Sequence, residues 1–207
     1  ETKMFFSKVD YSEELSYVGG EPLLWDGFPK YLPWLRKNFG GQYGEARIIT
    51  NCTVPLSDEI QNIIIDNNIV LELTIYRDLI GDLAEQMVNK CKERGIKYKI
   101  IEHEAWMDFD IRRENQHSTR DNAAFYRNCS SFCRGVEGGE FIYCTPGYYS
   151  AVTRGLSVVG GSISIEKAGK DQLYRFYYGK MKEYPKYCKF CNGYNTAPLI
   201  PVAEQMK

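Results

Sequence analysis

ARIITNCTVPLSDEIQNIIIDNNIVLELTIY, residues 46–76, decides the fold. Ala46–Thr50 is a short apolar, β-branched run that stops at Asn51, as a strand does. Ser57 with Asp58 and Glu59 opens a helix. The serine oxygen can accept from the free N–H groups of a first turn, and the acidic pair suits the positive end of the helix dipole. Ile60, Ile63 and Ile64 then recur at helical spacing, and Ile69–Ile75 reads as the next strand. Strand, helix and strand in roughly 30 residues form a βαβ unit, whose strands run parallel.

The same rhythm extends outward. Leu15–Val18 reads as a strand ending in Gly19-Gly20, and Asp26 reads as the cap of a helix carrying Phe28, Tyr31, Leu32 and Leu35 on one face. Downstream, Leu79, Leu83, Met87, Val88 and Cys91 mark a third helix that Lys92, Arg94 and Gly95 stop, and Ile96–Ile101 is a fourth strand. The expectation is an α/β fold on a parallel sheet, curved or doubly wound, with ligands at the C-terminal ends of the strands. After about Trp106 the rhythm ends, few helical periods remain, and five of the seven cysteines follow. A boundary is expected between residues 105 and 125.

A net charge of -1 and no basic run argue against nucleic-acid binding. Apolar runs are broken well before the ~18 residues needed to span a bilayer, and no signal-peptide pattern opens the chain, so a cytoplasmic address is the default. Seven cysteines, unevenly placed, suit metal binding better than a disulfide scaffold.

Two groups of residues carry chemistry. In Gly19-Gly20-Glu21-Pro22-Leu23-Leu24, paired glycines at a strand end let backbone approach a ligand, and the adjacent carboxylate can receive an ammonium group. A plain βα turn with a solvated glutamate reads equally well from the tetrapeptide alone. Farther on come Cys129-x3-Cys133, Cys144 and Cys188-x2-Cys191. Thiolates this concentrated suit a tetrathiolate site, filled by a 4Fe-4S cluster or by structural zinc, with unligated buried thiols as the third reading. Five candidates for four ligands leave one spare, Cys129 or Cys133. Cys52 and Cys91 read as packing residues. His103 and His117 read as ordinary polar residues, with a ligand contact the lesser possibility for His103. The tyrosines and arginines between Tyr143 and Tyr178 read as strand packing, or else as the floor of a substrate cleft.

Gly19-Gly20-Glu21 after a strand and before a helix resembles the radical SAM superfamily, in which Gly-Gly-Glu binds the amino group of S-adenosyl-L-methionine. Thr50-Asn51-Cys52 is similar to the Thr-Asn-Gly that ends the family's next strand, with cysteine for glycine, and Thr74 stands where relatives carry Ser or Thr near the cofactor ribose. The cysteine spacing resembles the SPASM and Twitch extensions that hold auxiliary clusters. The resemblance implies a partial (β/α)6 TIM-like barrel over residues 1–110, incomplete at its N-terminus, and a cysteine-rich extension over 111–207. Gly19, Gly20, Glu21, Asn51 and Thr74 would bind S-adenosyl-L-methionine, and Cys129, Cys133, Cys144, Cys188 and Cys191 supply the ligands of one auxiliary 4Fe-4S cluster. The implied activity is radical hydrogen abstraction from a peptide or sugar-type substrate, fed by an external electron donor, with no nucleic acid or membrane involved. The family's Cys-x3-Cys-x2-Cys loop, which binds the catalytic 4Fe-4S cluster, is absent from Glu1–Val18, and the start at Glu1 suggests that it has been removed. The intact protein is then an enzyme and this chain alone inactive. From another class, a non-catalytic α/β binding module with structural zinc fits the same cysteines.

Overall fold

The computed structural model describes residues 1–76, 82–109, 113–131, 133–194 and 196–202. The chain forms two compact units, one built on Asp10–Trp106 and the other on Glu1–Val9 with Met107–Ile200.

In the first unit the strands β1 (Ser12–Tyr17), β2 (Tyr43–Thr50), β3 (Ile69–Ile75) and β4 (Tyr98–Glu102) make one sheet in the order β1-β2-β3-β4. All three pairings are parallel. The helices between them are α2 (Phe28–Phe39), α3 (Asp58–Asp66) and α4 (Asp82–Arg94). The unit is therefore α/β as read, and its sequential order lacks the reversal of a doubly wound sheet.

The two faces of this sheet differ. Ala46 and Ile48 on β2 share one face with Ile69, Leu71 and Leu73 on β3, and all are buried. The opposite face is charged, which is unusual because parallel sheets are commonly apolar on both sides. There Arg47 reaches Glu14 on β1 at 2.6 Å and Glu72 on β3 at 3.3 Å, and also pairs with Glu45. Lys99 on β4 closes the network on Glu45 at 2.8 Å.

Several boundaries depart from the sequence reading. β1 starts three residues before Leu15, because its ladder to β2 already runs from Ser12 opposite Tyr43. The cap of α2 is Gly27 and makes no side-chain bond, so Asp26 does not cap. A 3-10 turn, Pro22–Leu24, and the edge-on packing of Trp25 on Phe28 set the entry instead. Phe28, Leu32 and Leu35 are buried as expected. Ser57 does cap α3, its oxygen accepting from the Ile60 N–H at 3.2 Å. The inner face of α4 is Ala84, Met87 and Cys91, whereas Leu83 is exposed and Leu79 lies outside the described residues. Leu83 and Ala84 both lie within helical reach of Met87, and the buried edge of that stripe is the alanine's. Ile96 is buried but precedes β4.

The second unit is more helical than its sequence suggests. It contains α1 (Thr2–Lys8), α5 (Thr119–Arg127), α6 (Thr145–Thr153) and α7 (Lys170–Tyr177), with an antiparallel sheet of β5 (Gly135–Glu137), β6 (Glu140–Ile142) and β7 (Ser162–Ser164). Tyr174, Arg175 and Tyr177 lie on α7, so they are helical and not strand residues. The core gathers Tyr126, Phe141, Tyr143, Ile165, Leu173 and Phe176. Phe5 of α1 packs on Phe141, with ring centroids 6.3 Å apart.

Candidate functional site

At the C-terminal end of β1, Gly19 and Gly20 have φ of 104° and 54°, angles that L side chains rarely adopt. No atom lies within 4 Å of a Cβ built at either, so the glycines serve the turn itself. The turn delivers Glu21, whose two carboxylate oxygens are both engaged. One accepts from the Leu23 N–H at 3.1 Å, and the other accepts from the Asn51 N–H at 2.9 Å. Glu21 thus binds the end of β1 to the end of β2. Each oxygen keeps lone-pair capacity for a further donor.

Asn51 is held in turn. Its side-chain oxygen accepts from the backbone and hydroxyl of Thr53, while the Thr50 hydroxyl accepts from the Cys52 N–H at 3.1 Å. Cys52 is 2% exposed with φ of 64°, the left-handed region that favours glycine. Burial, then the nearby Glu21 charge, pushes its thiol up to about 11. Thr50 pairs in register with Leu73, which sets the buried Thr74 level with Asn51 on the neighbouring strand. Past β4, His103 stacks on Tyr76 at 5.8 Å, and its N–H donates to Ile75.

In the second unit four of the five clustered cysteines face one cavity. Cys129 follows α5, Cys144 is the residue before α6, Cys188 lies in the 3-10 helix Lys186–Phe190, and Cys191 caps that helix. All four line the cavity together with Phe125, Tyr126, Tyr143, Tyr187 and Tyr194 among others. Cys133 is exposed and outside it, and its carbonyl accepts from the Thr145 N–H at 2.9 Å. Cys133 is thus the member of the five that does not share the lining.

The cavity disfavours free thiolates. Burial, followed by the neighbouring sulfurs, pushes Cys188 well above the ordinary thiol range. Cys191 rises to about 11 through burial, offset in part by the Gly193 N–H that donates to its sulfur at 3.2 Å. Cys144 is raised by burial against the opposing pull of the Gly147 amide and the Ser131 hydroxyl, whose oxygen lies 3.9 Å from the sulfur. Burial in this apolar lining therefore favours the neutral thiol form of Cys144, Cys188 and Cys191. Among the described residues no three or more His, Cys, Asp or Glu side chains are already gathered as a metal-ion site. The sulfurs line a shared space without closing on one point.

Two residues matter here that spacing alone did not reveal. Arg134 lies 3.7 Å from the centre of the Tyr143 ring and donates to the carbonyls of Ser131, Tyr143 and Tyr177. It thereby ties the segment after Cys129 to the residue before Cys144. Tyr187, 1% exposed, sits against Gly147 and Gly161. Nothing local in the sequence signals the bonds of Arg134, or that residues 147, 161 and 187 meet.

No protein-family model matches this chain, and no curated protein matches it. Among the described residues no helix is long and apolar enough to cross a membrane.

Proposed function

We propose that the chain is part of a radical SAM enzyme whose second unit carries an iron–sulfur cluster on Cys129, Cys144, Cys188 and Cys191. The observation that carries this reading is the gathering of those four thiols around one apolar cavity. Four cysteinates are the usual ligand set of a 4Fe-4S cluster. A single zinc ion would draw four sulfurs to about 3.8 Å of one another, given Zn–S bonds of about 2.3 Å in a tetrahedron.

Features of the first unit support the same reading. A sequential parallel order is also that of a stretch of barrel wall, and on that reading the charged face of Glu14, Arg47 and Glu72 would be its inner surface. Glu21 lies at the C-terminal end of the sheet with acceptor capacity to spare for the ammonium group of S-adenosyl-L-methionine. Gly19 and Gly20 offer open backbone beside it, and Asn51 and Thr74 supply polar groups on the next two strands. Cys52, in a glycine-like conformation where the family places glycine, fits the same turn. The chemistry supplied with iron–sulfur clusters bound is reductive cleavage of S-adenosyl-L-methionine to a 5′-deoxyadenosyl radical that takes hydrogen from a peptide or sugar-type substrate. The chain's own residues hold the methionine end, orient the nucleoside and keep the cluster cavity dry.

The test is anaerobic reconstitution with iron and sulfide of the parent chain and of single Cys→Ser variants. Replacing Cys129, Cys144, Cys188 or Cys191 should each lower bound iron and alter the visible spectrum, whereas Cys133→Ser should retain both. Stoichiometric zinc with no iron, after anaerobic preparation, would refute the reading in favour of a zinc-stabilised binding module.

A further inference from the structure

Tyr187 is one of the largest fully buried side chains, and its hydroxyl has no hydrogen-bond partner. Burying a phenol oxygen without a partner costs free energy that phenylalanine at the same place would not. The ring position is closely defined. A Cβ added at Gly147 on α6 would stand 2.8 Å from one ring edge, and one added at Gly161 would collide with the other. The Tyr148 ring meets it edge-on, with centroids 6.5 Å apart. Two positions without side chains therefore frame the slot that fixes this phenol in the lining of the four-cysteine cavity.

The Cys144 N–H approaches the phenol oxygen as a weak donor outside strict hydrogen-bond geometry, and among the described residues the phenol proton has no acceptor. A donor kept dry, rigid and unpaired beside four thiols is suited to a partner that arrives with the guest of the cavity.

Resting on the cluster reading above, the geometry points to Tyr187 as a positioning residue that donates an O–H···S hydrogen bond to the bound cluster or its cysteine sulfurs and raises its reduction potential. Reduction adds negative charge to the cluster, and a hydrogen bond to sulfur stabilises the more negative state more strongly. Tyr126, which also lines the cavity, is 2% exposed; the Met181 amide acts on its oxygen as a weak donor, and among the described residues its proton has no acceptor, so it offers a second donor by the same argument. Tyr143 differs, because its hydroxyl already donates to the Tyr126 carbonyl at 3.1 Å.

The experiment compares the full chain with Tyr187→Phe and, as a control, with the exposed Tyr178→Phe, each reconstituted anaerobically. Iron and sulfide content and near-ultraviolet circular dichroism come first, followed by a redox titration of the cluster. Tyr187→Phe keeps the ring and should load iron as the parent does. At fixed applied potential its ratio of reduced to oxidised cluster should fall about tenfold, equivalent to a shift of about 59 mV to more negative potential. Tyr178→Phe should titrate with the parent.

Equal potentials in iron-loaded parent and Tyr187→Phe would overturn the inference while leaving the cluster reading intact. A parent chain that binds zinc and no iron would overturn both. Should Tyr187→Phe fail to load or fold, metal-free parent and variant are compared by urea denaturation. A hydroxyl without a partner predicts equal or greater stability in the variant, so a clear loss would show that the oxygen is already bonded and would overturn the inference.

Discussion

Cys52 occupies backbone space that costs a side-chain-bearing residue about 1–2 kcal/mol and glycine nothing. Its burial at 2% offsets that cost. Cys52→Gly should therefore change stability by less than about 1 kcal/mol, because strain is relieved as packing is lost. Cys52→Val, branched at Cβ, should lose about 2 kcal/mol or more, and urea denaturation of the two variants checks the difference. The sequence marked Cys52 as a packing residue in a glycine position, and both halves of that description hold for its burial and its angle. The double use of Glu21 was not legible, since its bond to Asn51 joins residues 30 apart in the chain through strand pairing. Likewise, the spacing of five cysteines gave no means of telling Cys129 from Cys133. Their different exposures depend on tertiary bonds such as those of Arg134 to the Ser131, Tyr143 and Tyr177 carbonyls, which spacing does not reveal.

At the scale of elements, the charged face of the sheet makes stability depend on acid. Hydrogen bonds from Lys99 and then Arg47 hold the Glu45 carboxyl below its ordinary value of 4.5. A carboxyl depressed in the folded state contributes stability that is present above the unfolded value and disappears as pH falls through the folded one. Unfolding free energy should therefore decline from about pH 5 downward, and less steeply in Glu45→Gln, as urea titrations at successive pH values will measure. The contribution is modest because Glu45 is partly exposed and its network faces solvent. Strands and helices up to residue 102 were legible because apolar periodicity and the Ser57 cap act locally. The inner face of α4 runs through Ala84, Met87 and Cys91, and because Leu83 fits the same stripe by i+4 spacing, apolar periodicity alone does not fix which edge of the stripe is buried. The helices α5, α6 and α7 of the second unit were not legible because each buries only two residues, Asn122 with Tyr126, Gly147 with Ala151, and Leu173 with Phe176, too few to mark an aliphatic period.

For the whole molecule, these 207 residues contain no Cys-x3-Cys-x2-Cys run, and four cysteine ligands would leave no iron of the second-unit cluster open to S-adenosyl-L-methionine. The reconstituted chain, given dithionite and S-adenosyl-L-methionine, should therefore form no 5′-deoxyadenosine above a protein-free control. Mass-resolved chromatography reads the product, and turnover would show that one cysteine leaves an iron accessible. The two units also pose different problems of assembly. In the parallel sheet each strand pairs with the next strand in the chain, so loop closures are short and the sheet can be extended step by step during synthesis. The second unit begins with α1, yet the Glu1 carboxylate accepts from the Gly138 N–H, 137 residues later. During synthesis α1 is made before the rest of its unit, and Phe6, buried in the finished fold, must wait until the residues around Gly138 have followed. A chaperone that recognises short apolar helices would meet α1 throughout that interval, and slowing synthesis should prolong the exposure.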